Sequence, residues 1–317
     1  MIVTDWKPID LAELKTYPLG ERPSKVNVDD FGKPWKPGQG LADWVESLPS
    51  ILAGSDLRCV VEAVVRAIRS QKSIVLAMGA HPIKVGLNPV ILDLLDRGIL
   101  TGVAMNGAGI IHDTELAMTG NTSEDVPAQL ESGRFGMVGE TAEFLNEAIA
   151  EGAKHDQGLG RAIGVKLAES SFPFKHLSLL TGGFERNVPV TVHVAIGTDT
   201  IHFHPSADGA AIGKTSHLDF RIFARLVSTL EEGVFINLGS AVILPEVFLK
   251  ALSLVKNLGH EVRQFTTVNM DFIRQYRAET NVVHRPTLTG GAGYTLVGHH
   301  EIMFPLVAAA VIERLGE

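Results

Sequence analysis

Short, unbroken apolar runs alternate along this chain with longer segments whose apolar residues recur at helical spacing. No other pattern in the sequence restricts the possible folds as much. SIVLAM (73–78), LTGVAM (100–105), VPVTVHVAI (188–196), GVFINL (233–238) and EVRQFTTV (261–268) read as strands. Most are apolar throughout, as expected of strands covered on both faces. Between them the spacing predicts helices over 56–70, 86–98, from about 110 to 117, and over 138–152, 157–169, 217–230 and 245–257, with a last one over 301–315. Pro89 falls in the first turn of the 86–98 segment, where its missing N–H costs little. This βαβα order specifies an α/β fold: a Rossmann-like parallel sheet with helices on both faces. Residues 1–45 stand apart as an extended arm punctuated by Pro8, Pro18, Pro23, Pro34 and Pro37, leaving 46–317 as one α/β domain.

Open parallel sheets bind ligands beyond the carboxyl ends of their strands. The segments that follow each strand are therefore the informative ones. They are Gly79-Ala80-His81, Asn106-Gly107-Ala108-Gly109, Gly197-Thr198-Asp199, Leu238-Gly239-Ser240-Ala241 and Thr267-Val268-Asn269. Small residues let backbone N–H groups approach a ligand, and a helix N-terminus beyond them favours an anion. NGAG and LGSAV fit this use. Neither is a GxGxxG fingerprint or a P-loop, so the convergence of loops at one rim carries the nucleotide reading, not any single motif.

Composition excludes several classes. The formal charge is −8 and no Lys/Arg cluster stands out, which argues against a nucleic-acid partner. The single cysteine, Cys59, excludes a disulfide within the chain, fits a reducing cytoplasm, and reads as a buried apolar residue of the first helix. The N-terminus does not have the pattern of a signal peptide, and no apolar run is long enough for a membrane span. A cytoplasmic protein is expected.

Six histidines fall at loops or element ends: His81, His112, His202, His204, His299 and His300. His112 and Asp113, opening a helix, are candidates for a proton-transfer pair, with a capping Asp113 and a packed His112 as the alternative. His202 and His204 alternate, so on a strand they face one side. With Asp199 or Asp208 they could hold a metal, although no HExxH or cysteine ligand supports this.

The ordered series of loops resembles the deoxyhypusine synthase family. The matching blocks are Gly79-Ala80-His81 with Val85-Gly86-Leu87, Asn106-Gly107-Ala108-Gly109 with Ile111-His112-Asp113, and Val188-Pro189-Val190 leading to Thr198-Asp199. Leu238-Gly239-Ser240-Ala241-Val242, His284-Arg285-Pro286 and Phe304-Pro305-Leu306-Val307 complete the series, which spans roughly residues 70 to 312. The resemblance implies a Rossmann-like sheet, NAD as cofactor, a polyamine held by acidic residues, and a homo-oligomer, dimer or tetramer. It places Gly79, His81, Asn106, Gly107, Ala108, Gly109, Thr198, Gly239, Ser240 and Ala241 at the cofactor. Family members transfer a butylamine group through a lysine to a lysine of a translation factor.

This chain departs from that pattern where the transfer occurs. Arg285-Pro286 is followed by TLTGGAGYTLVGHHEIMFP, which holds no lysine and no tryptophan. A Schiff base needs a primary amine. The family's Lys-His-His is replaced by Leu244-Pro245-Glu246, and one of its carboxylates by His112. The expectation is a divergent NAD-dependent enzyme that oxidises or transfers from a small amine, not a standard deoxyhypusine synthase. His112, Asp113, Asp199 and Glu246 are its candidate catalytic residues. A non-catalytic nucleotide-binding protein and a metal-dependent hydrolase using His202 and His204 remain the alternatives.

Overall fold

The computed structural model describes residues 6–316; the first five residues of the expected arm lie outside them. From residue 6 to the first helix the chain makes only two single turns of 3-10 helix, Leu19–Glu21 and Val28–Asp30. Trp6, Ile9, Leu11, Leu14 and Tyr17 are exposed along it. The helices α1 (Leu41–Ser47) and α2 (Leu52–Arg69) precede the first strand, β1 (Ile74–Met78). α3 (His81–Lys84), a single turn, and α4 (Asn88–Asp96) lead to β2 (Gly102–Asn106). Next come α5 (Gly107–Thr119), α6 (Val126–Leu130), α7 (Gly139–Lys154), α8 (Leu159–Glu169), α9 (Leu179–Glu185) and β3 (Val190–His193). α10 (Gly209–Val227), β4 (Val234–Leu238), α11 (Ile243–Asn257) and β5 (Thr266–Asp271) follow, then the one-turn α12 (Tyr276–Ala278) with a π-helical turn at Glu279–His284. β6 (Ala292–Val297) and α13 (His300–Gly316) end the chain.

The six strands form one parallel sheet in the order β3-β2-β1-β4-β5-β6. Alternate side chains of β1 leave the sheet on opposite faces. Ile74, Leu76 and Met78 join a core built with α2, α4, α5, α7, α8, α9 and α13. Val75 and Ala77 join a second core with Phe235 of β4, Phe223 of α10 and Phe248 of α11. Phe235 and Phe248 stack at 3.7 Å between ring centroids. α10 runs past the β3 edge, with Ala211 and Ile212 in the first core and Phe223, Ala224 and Val227 in the second. Covering on both faces explains why the strands read as continuous apolar runs.

The strand order reverses direction between β1 and β4, so the crevice beyond their carboxyl ends is the expected ligand position. The α/β architecture agrees with the sequence reading, with three differences of detail. β5 starts later than expected, so Thr267, Val268 and Asn269 lie inside the strand and not beyond it. β6 is a further strand that the sequence pattern does not indicate, and its side chains are mostly half-buried because it is an edge strand. Gly293 is needed there, since a Cβ would run into the Val283 carbonyl. Cys59, expected to be buried, is exposed. The buried positions of α2 are Leu57, Val60, Val61, Ala63, Val64, Val65 and Ala67, and Cys59 lies on the other side of the helix. Among the described residues no helix is long and apolar enough to cross a membrane.

β3 is held to α8 by a buried carboxylate. Asp219 of α10 accepts from the backbone N–H groups of Gly160 and Val192, both at 2.8 Å, while burial pushes its carboxyl up to about 7. A Cβ on Gly160 would overlap the Val190 carbonyl of β3. Neither backbone can retreat without breaking the sheet edge or the Asp219 bonds. Gly160→Ala is therefore expected to lower stability by about 3 kcal/mol, measured as the change in unfolding free energy in urea.

Candidate functional site

The expected rim exists, and it has two parts. At the reversal of strand order the β1 and β4 loops touch backbone to backbone: a Cβ on Gly79 would lie 2.5 Å from the Gly239 carbonyl oxygen. Gly239 has φ of +67°, and a Cβ there would lie 2.6 Å from the His300 ring. Ser240 accepts the Leu244 N–H, in the first turn of α11, through its hydroxyl. His300, in the first turn of α13, is 2% exposed, and neither ring nitrogen has a hydrogen-bond partner. Its Nε2 is 3.8 Å from Asp271 Oδ1, and its ring lies edge-on to His81 and Phe272 at 5.3 and 6.1 Å. Burial holds the His300 imidazole below its usual range. Beneath the loops, Asn237 donates to the Ser240 carbonyl and to Asn269 Oδ1, while Asn237 Oδ1 and Asn269 Nδ2 stay unpartnered.

The second part lies beyond β2 and β3. Asn106 caps α5 by accepting the Gly109 N–H at 3.1 Å, so its side chain is engaged at the helix start. Gly107 is required because the Asp199 carboxylate occupies the space a Cβ would fill. The Asp199 side chain is almost wholly buried, its Oδ2 has no hydrogen-bond partner, and burial pushes its carboxyl up to about 6. His202 Nε2 lies 3.7 Å from that oxygen. The Gly197 N–H donates to His202 Nδ1 at 3.2 Å, which leaves the proton of the neutral ring on Nε2, facing Asp199. Asp199 borders a cavity of about 210 Å³ together with Lys84, Ala108, His112, Glu115 and Glu124. The His112 imidazole is driven down to about 4, first by burial and then by the positive charge of Lys84.

A larger cavity of about 840 Å³ adjoins it and shares Glu115, Ser123 and Glu124. Glu140, Glu143 and Glu147 also line it, and among the described residues no Lys, Arg or His does. Glu147 is paired with Lys166 at 2.7 Å; among the described residues Glu124, Glu140 and Glu143 have no basic partner within ion-pair distance, and Glu115 stands 3.9 Å from His112 Nδ1. A concave wall of this composition suits a small organic cation.

Of the sequence candidates, the structure brings together Ala108, His112, Thr198 and Asp199 in the wall of the smaller cavity, while Gly107 packs against Asp199 and Asn106 and Gly109 form the cap of α5 without lining it. Gly79, His81, Gly239, Ser240 and Ala241 sit at the strand reversal. Asp113 does not orient His112. Consecutive helical side chains diverge by about 100°, and Asp113 points inward, fully buried. It accepts from Asn88 Nδ2, Ser178 Oγ and the backbone N–H groups of Leu179 and Leu180. Glu246 is also apart from the site, bound to Lys250, to Arg277 at 2.7 Å and to Asn281 at 2.8 Å. His202 and His204 do not share a strand face, because Thr200–Phe203 is a turn of 3-10 helix. His204 bonds instead to Ser206. Among the described residues no three His, Cys, Asp or Glu side chains are grouped to hold a metal ion. The residues missed were Thr122, Glu115 and Glu124. They lie on or next to an irregular segment with no periodic signal, and only the excess of acids between 115 and 147 hinted at them.

No family model matches the sequence, and no curated protein sequence matches it either. Solved structures do match in fold. A LOR/SDH protein of Methanococcus maripaludis S2, so assigned provisionally, superposes with a TM-score of 0.51 at 13% identity, over 89% of this chain and 72% of that one. A provisionally assigned deoxyhypusine synthase of Entamoeba histolytica gives 0.50 at 13% identity, over 89% of this chain and 96% of its own. The arginine dihydrolase ArgZ of Cyanobacteria gives 0.50 at 16% identity over 84% of this chain, which spans 34% of that longer protein. The chain thus has the deoxyhypusine synthase-like fold that its loop series led us to expect.

Two outcomes are expected. Asp113→Ala leaves four buried donors without their acceptor and should cost about 3–5 kcal/mol of unfolding free energy, read by urea denaturation. His112, followed by NMR, should remain neutral from pH 7 down to about 4. Its folded value lies below that of the unfolded chain, near 6.5, so the unfolded state binds its proton first. The His112 contribution to stability is therefore present above about pH 6.5 and is lost as the pH falls towards 4.

Proposed function

We propose that this protein is a nicotinamide-nucleotide-dependent enzyme acting on a small amine, polyamine-like in its charge, by a route that does not use the lysine of standard deoxyhypusine synthases. One observation carries the reading. An acidic cavity sized for an organic cation opens, through Glu115 and Glu124, onto a smaller cavity where His112 and Asp199 stand ready for proton transfer.

The residues at the strand reversal fit a nucleotide. Gly79 and Gly239 let the two loops meet at the strand reversal, and His300 retains two unpartnered ring nitrogens behind them. In this reading Gly79, His81, Gly239, Ser240 and Ala241 hold NAD, while Asn106, Gly107, Ala108, Gly109 and Thr198 border its reacting end. When bound, NAD supplies a hydride acceptor for the carbon that bears the amine. Glu124, Glu140 and Glu143 draw in the cationic substrate and fix its distal charge. His112, neutral at physiological pH, offers a lone pair to the proton that must leave the reacting nitrogen. Asp199, with His202 behind it, offsets positive charge as it develops at the carbon. The absence of a lysine after Pro286 removes the covalent step and leaves oxidation, or transfer to a bound acceptor, as the available chemistry. The hydrolase alternative loses its support with the separation of His202 from His204.

We also propose that the protein works as a homo-oligomer in the cytoplasm. The exposed Trp6, Ile9, Leu11, Leu14 and Tyr17 give the arm an apolar surface for a neighbouring copy.

Calorimetric titration with NAD and NADH tests the nucleotide site. Micromolar binding is expected, and folded protein that binds neither form overturns the reading. With diamines and basic amino acids as substrates, Glu124→Gln combined with Glu143→Gln should raise KM at least tenfold, about 1.4 kcal/mol, with kcat little changed. A fall in kcat at constant KM would place those carboxylates at the reacting centre instead.

A further inference from the structure

Three side chains beside α5 are connected in a way the proposed reaction does not by itself require. His112 Nδ1 lies 2.7 Å from Thr122 Oγ1, and Thr122 Oγ1 lies 2.5 Å from Glu115 Oε2. A threonine hydroxyl has one proton to give. Opposite an ionised carboxylate it must give that proton to Glu115. Its oxygen then accepts from His112, so the ring carries its proton on Nδ1 and leaves Nε2 bare. Among the described residues Nε2 has no hydrogen-bond partner, and the ring borders the smaller cavity. Glu115 borders both cavities. Its other oxygen is 3.5 Å from the Thr141 hydroxyl.

We propose that His112, Thr122 and Glu115 form a proton wire, which takes a proton from a ligand in the smaller cavity and delivers it to Glu115. This rests on the proposed function for its substrate, but not for its geometry. A proton released by the bound amine adds to His112 Nε2. The Nδ1 proton passes to Thr122 Oγ1, and the original Thr122 proton passes to Glu115 Oε2. One proton enters at Nε2 and one ends on the carboxyl; no electron pair leaves the wire. The ring is neutral before and after, with its tautomer reversed. The wire thereby accounts for a base placed in a half-buried position next to Lys84, where an imidazolium is disfavoured. The proton need not stay on the ring. Burial and the neighbouring Glu124 both favour the protonated form of Glu115, which suits the far end of such a path. The charged and titratable groups facing the wire are Lys84 and Asp199 across the smaller cavity, Glu124 beside Glu115, and Glu140, Glu143 and Glu147 of α7 across the larger one. Thr122 and Glu115 are relay residues; His112 alone meets the substrate.

The test reads the tautomer directly, on ligand-free protein. Histidine is labelled with 15N, and long-range proton–nitrogen correlations distinguish Nδ1–H from Nε2–H; His112→Gln assigns the signal. At neutral pH the proton is expected on Nδ1. On acidification the tautomer should reverse as Glu115 takes up its proton, before any imidazolium forms. Glu115→Gln should hold the Nδ1–H form throughout, Thr122→Ser should reproduce the wild-type reversal, and Thr122→Val should abolish it. A wild-type ring with its proton on Nε2 at neutral pH overturns the wire, as does a reversal that persists in Thr122→Val or Glu115→Gln. Because no cofactor or substrate is present, failure to bind NAD would remove the proposed function and leave this result standing on its own.

Discussion

Much of the site depends on one buried carboxylate. Asp113 has no contact with solvent, yet it gathers four donors from two elements: Asn88 at the start of α4, and at the start of α9 the hydroxyl of its N-cap Ser178 and two backbone N–H groups. Removing a charge from water is costly unless its hydrogen bonds are satisfied, and here both oxygens are. The result is a fixed rotation of α5 about its own axis. That rotation determines where the neighbouring helical positions point. His112 and Glu115 reach the two cavities because Asp113 is held on the opposite side. A residue that first reads as a catalytic partner thus acts on the chemistry by setting the direction of others.

The same economy appears at the glycines of the rim. Small residues after strands are commonly read as space reserved for a ligand. Gly107 reserves its space for Asp199, and Gly79 reserves its space for the backbone of Gly239. Asp199 therefore stands where an anion would otherwise sit at the start of α5, and its negative charge disfavours a phosphate there. This places the nucleotide phosphates, in the proposed function, towards the β1–β4 side of the rim, and leaves the β2–β3 side for the amine and its proton.

What the sequence made legible follows from the range of the forces involved. The apolar runs of β1, β2 and β4 and the helical spacing of α4, α7 and α8 are local patterns set by burial on both faces, and they read correctly. β6 did not, because an edge strand with Gly290, Gly291 and Gly293 carries a turn signature; its place in the sheet is decided by long-range pairing with β5. The rim residues were found because topology alone puts strand ends together. The surroundings of Asp113 and Glu246 were not legible, because adjacency in sequence says nothing about which way a helix is turned or which cations lie across from it. Thr122 was invisible for a related reason: its importance comes from two contacts, one with a residue ten positions earlier and one with a residue seven positions earlier, across an irregular segment.

The two walls of the cavities differ in how firmly they are built. On one side stands α5, whose rotation is fixed by the buried Asp113. On the other, from Thr119 to Glu140 no residue is fully buried, and Gly133 and Gly136 adopt left-handed backbone within it. A stretch with so few buried contacts opens at a lower free-energy cost than the sheet beside it. Thr122 belongs to this yielding stretch, whereas His112 and Glu115 belong to α5. Each excursion of the outer wall therefore separates Thr122 from both of its neighbours at once. The arrangement thus makes the two Thr122 bonds a single unit, kept or lost together, because both partners are carried by one helix.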